Sequence, residues 1–153
     1  MTTTVSYSQT SGSNAKAQPA PLPSQASKAC VLVVENHEDT RFMLRTMLEM
    51  RGGISVVEAV NGEMAIALAE NVRVDLILMD TDLPLLDGYT VTQRIRELFS
   101  THKIPIVILS GHAQPSAEAK AFAAGCTDYL VKPFALGELG SVLERYLSEG
   151  KAQ

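Results

Sequence analysis

Two hydrophobic patterns take turns along this chain: short unbroken apolar runs, and stretches in which apolar residues recur every three or four positions. The first run, Ala29-Cys30-Val31-Leu32-Val33-Val34, is what a strand buried on both faces requires. Leu44, Met47 and Leu48 then carry helical spacing within residues 38 to 51, and Gly52-Gly53 supplies the stop. Ile54 to Val57 predicts a second strand. Asn61 can cap a helix over residues 62 to 70 whose inner face is Ala65, Leu68 and Ala69. Val74 to Met79 predicts a third strand that runs into Asp80. After a turn marked by Pro84 and Gly88, Val91, Ile95 and Leu98 predict a third helix. Ile104 to Leu109 follows as a fourth strand, with Pro105 near its beginning. Pro115 suits the first turn of a fourth helix that stops at Gly125. Cys126 to Val131 predicts a fifth strand, and Leu136, Leu139, Val142, Leu143 and Tyr146 stripe a last helix.

Strict alternation with short connections predicts a parallel sheet with helices on both faces, because each parallel crossover needs a helix and is right-handed. The expected fold is a three-layer, doubly wound (βα)5 α/β domain of flavodoxin-like strand order 2-1-3-4-5. That order places the functional crevice at the carboxyl ends of strands 1 and 3.

Residues 1 to 28 break the pattern. They are rich in Ser, Thr, Gln, Ala and Pro and contain no Asp or Glu, so they lack the apolar surface that would offset ordering entropy. Pro19, Pro21 and Pro23 favour extended polyproline conformations. A disordered leader over 1–28, a folded domain over 29–149 and a tail over 150–153 are expected. The leader's charges are Lys16 and Lys28, which leaves the folded part more acidic than the net −4 of the whole chain.

Thirteen Lys and Arg against 17 Asp and Glu provide no excess of positive charge, so direct nucleic-acid binding is not expected. No run approaches the length of a membrane span, and the opening residues lack a signal-peptide pattern. A cytoplasmic protein with no membrane contact is expected. Cys30 and Cys126, without a CxxC, fit a reduced compartment as small buried hydrophobes.

Polar chemistry gathers where the strands are predicted to end. Glu35-Asn36-His37-Glu38-Asp39 follows strand 1, Asp80-Thr81-Asp82 strand 3, Ser110-Gly111-His112 strand 4, and Lys132-Pro133-Phe134 strand 5. Carboxylates from strands 1 and 3 would repel one another unless a cation or a shifted pKa relieved them. Oxygen ligands of this kind suit Mg2+. Lys132 and Ser110 could neutralise and hydrogen-bond an anion beside the metal, which is what binding a phosphoryl group demands.

These residues resemble the receiver domains of two-component response regulators, over residues 29 to 149. The segments that carry the likeness are VLVVENHEDTR at 31–41, LILMDTDLPLLDGY at 76–89, PIVILSG at 105–111 and DYLVKPF at 128–134. The resemblance implies that Asp80 accepts a phosphoryl group from a sensor histidine kinase or phosphotransfer protein. It makes Lys132 the cation on the phosphoryl oxygens, Ser110 the hydroxyl that moves to bond the phosphate, and Tyr129 the aromatic switch. Lys132-Pro133 would match the family's cis peptide. Output would be a changed partner-binding surface on helix 4, strand 5 and helix 5. Because the chain ends at Gln153, a single-domain regulator is expected, one that assists only its own phosphorylation and dephosphorylation and is not a turnover enzyme.

Two departures from the family pattern bear on the metal. Glu35-Asn36 stands where two adjacent aspartates are usual, so a neutral oxygen replaces a charged one and weaker Mg2+ binding is expected. Asp82 stands where the family uses a backbone carbonyl, and its charge can partly restore what Asn36 lacks, through a metal-bound water or through the local field. The expected metal set is Glu35, Asn36, Asp80 and Asp82, with His112 a candidate modulator of phosphoryl lifetime.

Simpler roles are expected for the rest. Glu38 and Asp39 suit a helix N-terminus, and Asp87 suits turn chemistry. Asp75 and Asp128 read as structural or solvated, and His37 and His102 as surface or capping residues. Two other functions remain open: a pseudo-receiver interaction module not switched by phosphate, which Glu35-Asn36 favours, and a phosphohydrolase of the haloacid dehalogenase type. The second rests on Asp80-Thr81-Asp82 as an Asp-x-Asp motif, although that motif normally follows a first strand and here two strand-helix units precede it.

Overall fold

The computed structural model describes residues 28–98 and 103–148, so the leader up to residue 27, His102 and the 150–153 tail lie outside the described residues. Five strands form one parallel sheet: β1 (Ala29–Val34), β2 (Ile54–Ala59), β3 (Leu76–Asp80), β4 (Ile106–Ser110) and β5 (Asp128–Val131). Their spatial order is β2-β1-β3-β4-β5, the 2-1-3-4-5 arrangement expected from the alternation. The connecting helices are α1 (Glu38–Arg51), α2 (Gly62–Asn71), α3 (Gly88–Leu98) and α4 (Pro115–Ala124). After β5 comes α5 (Leu136–Leu143), which runs into a π-helical turn over Glu144–Ser148.

Period-two geometry splits each strand's apolar run between two cores. Leu32, Val34, Ile77, Met79, Ile106 and Ile108 share one cluster with Ala65 and Ala69 of α2, Val91 and Ile95 of α3 and Ala121 of α4. Val31, Val33, Leu76, Leu78, Val107 and Leu109 share the other with Leu44 and Leu48 of α1 and Leu139, Val142 and Leu143 of α5. Removing such a Leu or Ile side chain from water contributes roughly 1.5–3 kcal/mol, which explains why every residue of β3 and β4 is buried. The central strands are thereby a rigid platform that presents polar residues at its carboxyl edge, where β3 ends in Asp80 and β4 in Ser110.

β1 and β2 start at Ala29 and Ile54 as expected, and the other three strands start later than expected, each for a visible reason. β3 begins at Leu76 because Asp75 is already spent on Cys30, donating its N–H to the Cys30 carbonyl at 2.8 Å and accepting the Cys30 N–H on Oδ2 at 2.8 Å. β4 begins at Ile106 because the Ile104 carbonyl is taken at 2.7 Å by Arg96. β5 begins at Asp128 because the Thr127 hydroxyl accepts the Ile106 N–H at 3.0 Å in place of a ladder partner. β2 runs two residues past Val57, to Ala59.

Two residues assigned to apolar stripes, Leu98 and Leu136, are 51% and 55% exposed and lie off the core. Helix ends follow the expected chemistry. Asn61 Oδ1 accepts the Met64 N–H at 2.8 Å, and α4 stops at Gly125, whose φ of 112° is open to glycine and strained for other residues. Among the described residues no helix is long and apolar enough to cross a membrane.

Candidate functional site

Sheet register brings the site residues together. Val34 lies opposite Met79, so Glu35 and Asp80 leave β1 and β3 side by side. Asp80 lies opposite Leu109 and Ser110 opposite Val131, which carries the row across to Lys132, whose N–H donates to the Ser110 carbonyl at 2.7 Å. The Lys132–Pro133 peptide is cis, as anticipated.

Glu35 and Asp80 are 0% and 1% exposed, an arrangement that two carboxylates tolerate with a cation beside them or with a raised pKa on one. Lys132 Nζ provides one, 2.6 Å from Asp80 Oδ1 and 3.5 Å from Glu35 Oε1. Burial pushes the Asp80 carboxyl above its usual range; Lys132 opposes this, and the charges of Glu35 and Asp82 add to it. Burial works against the Lys132 ammonium, but its bond to Asp80 and the charges of Asp80 and Glu35 outweigh that, and its pKa is raised. Asp80 Oδ2 is buried with no hydrogen-bond partner. An orphaned buried carboxylate oxygen costs free energy as it stands and fits a further cation or a phosphoryl group.

Ligand atoms from Glu35, His37 and Asp80 all lie within 4.8 Å of one another. The surface position expected for His37 holds, its side chain being 65% exposed, and its ring nitrogen adds a third donor to that group. His37 is the N-cap position of α1 but makes no side-chain cap; its Nδ1 instead sits 3.0 Å from Glu35 Oε2, which also accepts the His37 N–H at 3.0 Å. Asn36 and Asp82 are both exposed, and Asp82 reaches Asp80 through its field.

A second chain of contacts starts from buried Ser110. Its Oγ accepts the His112 N–H at 3.0 Å, and the His112 carbonyl accepts the Tyr129 hydroxyl at 2.6 Å. Tyr129 is half-buried against the core cluster under α2, α3 and α4. One loop residue therefore ties the Ser110 side chain to the Tyr129 ring.

Residues 31–144 match the family model for the response regulator receiver domain. The chain belongs to this family.

The rice two-component response regulator ORR41 (Oryza sativa subsp. japonica) is 37% identical over 119 residues, covering 76% of this chain and 92% of that protein. The receiver domain of sensor histidine kinase PA1611 from Pseudomonas aeruginosa, solved with magnesium in its active-site cleft, is 35% identical with a TM-score of 0.72, covering 78% of this chain and 98% of that one. Chemotaxis protein CheY4 of Vibrio cholerae matches at 31% identity, a TM-score of 0.72 and the same coverage. Other relatives are far longer: the chain spans 46% of the Bacillus subtilis regulator ResD and 3% of a Dictyostelium discoideum hybrid histidine kinase.

Two residues of this receiver domain, Arg41 and Tyr89, were given no role by sequence reasoning. Arg41 donates to the carbonyls of Glu35 and Asn36 at 3.0 and 3.4 Å and to Glu58 at 3.2 Å, clamping the loop that carries the acids. Tyr89 packs on the same cluster as Tyr129, with Lys120 Nζ 4.7 Å from its ring centroid. Burial pushes its phenol up; Tyr129 adds to the rise and Ser110 opposes it. Gly88 donates its N–H to the Thr81 carbonyl at 3.1 Å, and a Cβ there would strike the Asp80 carbonyl oxygen.

The simpler assignments sort as expected. Glu38 and Asp39 occupy the first turn of α1, Asp87 Oδ1 caps α3 by accepting the Thr90 N–H at 2.8 Å, and Asp128 accepts from Arg145 at 2.6 Å and from the Tyr146 hydroxyl at 2.9 Å. Cys126 is a buried thiol pushed up to about 11 by desolvation, which leaves it unreactive.

Proposed function

We propose that this receiver domain is a phospho-accepting switch in which Asp80 takes the phosphoryl group of a phosphohistidine on a sensor kinase or phosphotransfer protein, an exchange we place in the cytoplasm. The observation that carries the reading is the Lys132 ammonium at 2.6 Å from a buried Asp80 whose other oxygen has no partner. One Asp80 oxygen forms the new bond to phosphorus, the phosphorus–nitrogen bond breaks, and the departing imidazole keeps the electron pair and takes a proton. Lys132 then lies next to the transferred oxygens and Ser110 next to Lys132, the placement that charge stabilisation of phosphoryl transfer needs.

Mg2+, when bound, neutralises the acidic site and the incoming phosphoryl oxygens. Glu35, Asn36 and Asp80 would hold it, and Asp82 would supply charge through a metal-bound water or its field; Asp82→Asn lowering Mg2+ affinity supports that part, and no change ends it. The protein assists its own phosphorylation and dephosphorylation without turning over an external substrate, and His112 tunes the lifetime of the phosphoryl group.

Output follows from the Ser110–His112–Tyr129 chain. A phosphoryl group adds acceptor oxygens that draw the Ser110 hydroxyl, and the His112 N–H then loses its acceptor. The loop shifts, Tyr129 loses the His112 carbonyl, and the face formed by α4, β5 and α5 changes for a downstream protein partner. Two states a few kcal/mol apart suffice. Residues 1–28 serve as a tether or a dispensable extension.

Incubation with acetyl phosphate or phosphoramidate and Mg2+, followed by intact mass, tests the reading. One phosphoryl group that needs Mg2+ and disappears in Asp80→Asn is the expected result. No gain over a wide Mg2+ range in a folded sample favours the pseudo-receiver, the reading that the neutral Asn36 supports.

A further inference from the structure

We propose that His37 is a metal ligand of this site, so that Glu35, His37 and Asp80 together take a divalent transition ion such as Co2+, Zn2+ or Mn2+ through one imidazole nitrogen and two carboxylate oxygens. The proposal rests on the same site as the phosphoacceptor reading and concerns which cation that site selects.

Three observations carry it. His37 Nδ1 and Glu35 Oε2 are 3.0 Å apart, about the edge of a coordination octahedron whose metal–ligand bonds are roughly 2.1 Å. All three ligand atoms lie within 4.8 Å, so closing on an ion needs only a small contraction. Asp80, the third member of the group, has its Oδ2 buried and without a hydrogen-bond partner. His37 itself is fixed from below, since its N–H is bonded to Glu35 Oε2, while its side chain is 65% exposed and leaves an approach for an ion from water.

The donor set sets the preference. Asn36 brings no charge where a second acid is usual, and Mg2+, which wants oxygens and dehydrates reluctantly, loses a strong ligand. An imidazole in its place adds little for Mg2+ and much for ions that accept nitrogen. Every oxygen site binds transition ions more tightly than Mg2+, so the distinguishing quantity is how far each affinity depends on His37.

Isothermal titration of the full chain with CoCl2 and, separately, MgCl2 makes the test, using wild type, His37→Ala and His112→Ala as a control for a second histidine. His37 is exposed, so its removal leaves both cores intact. The expected result is a loss of tenfold or more in Co2+ affinity for His37→Ala, with a fall in the visible absorption of bound Co2+, while Mg2+ affinity changes less than twofold and His112→Ala matches wild type. Unchanged Co2+ affinity in His37→Ala overturns the proposal. So does an equal loss for both ions, which would make His37 only a support for Glu35. The phosphorylation assay run on His37→Ala with Mg2+ separates the two readings: phosphoryl uptake with unchanged Co2+ binding sinks the metal preference alone. Absent uptake in wild type, alongside His37-dependent Co2+ binding, sinks the phosphoacceptor alone.

Discussion

Replacing Lys132 by alanine removes the one cation that this structure places between two buried acids. Glu35 and Asp80 then face each other with ligand atoms within 4.8 Å, where unit charges at an effective dielectric of 20 repel by about 3.5 kcal/mol. Lys132 keeps 28% of its side chain in water, and solvent screening with partial protonation brings the expected cost of Lys132→Ala down to about 2–3 kcal/mol. For a domain of this size that is a fall in Tm of about 10 °C at pH 8. The pH dependence is the discriminating feature. Without the ammonium the already raised Asp80 carboxyl loses the bond that opposes its rise, so the variant's stability is intact below about pH 4 and is lost as pH rises through the raised Asp80 pKa. Thermal unfolding of wild type and Lys132→Ala between pH 4.5 and 8 therefore shows a gap that widens with pH, and added MgCl2 narrows it at the upper end. A gap of equal size at both ends refutes the electrostatic account and leaves only lost packing of the lysine stem.

Three further outcomes follow from the same geometry. Asp80 is held above its usual pKa, chiefly by burial, so its ionisation opposes folding once pH passes that raised value; Asp80→Asn is expected to raise the urea midpoint at pH 7–8, with the gain vanishing near pH 4. Gly88→Ala forces a Cβ against the Asp80 carbonyl oxygen and is expected to cost about 1–3 kcal/mol and to slow phosphorylation, read by denaturant unfolding and by intact mass over time. Leu85, 94% exposed with φ of 72°, is the positive-φ residue other than glycine in the described chain, and Leu85→Gly is expected to stabilise by about 1 kcal/mol in the same unfolding assay.

How far the sequence could be read follows the physics of each element. Runs such as Val31 to Val34 and Leu76 to Met79 are buried on both faces, so their apolar character is dictated by the sheet alone and shows without any neighbour. Asp80, Ser110 and Lys132 were legible for the complementary reason: each ends such a run, and parallel strands in this order deliver their ends to one edge. Strand starts were less legible because they hang on single competing bonds, as when the Thr127 hydroxyl takes the Ile106 N–H. Arg41 and Tyr89 escaped because their contacts come from how loops and first helical turns fold back. Glu35 and His37 lie past the end of β1, where strand periodicity no longer says which side chains share a face, and the turn between β1 and α1 brings the His37 Nδ1 to 3.0 Å from that carboxylate. The strand-end residues Asp80, Ser110 and Lys132 are brought to one edge by the sheet register itself. The turn residues instead depend on a few local bonds, such as the Arg41 clamp on Glu35 and Asn36, which no periodicity along the chain announces.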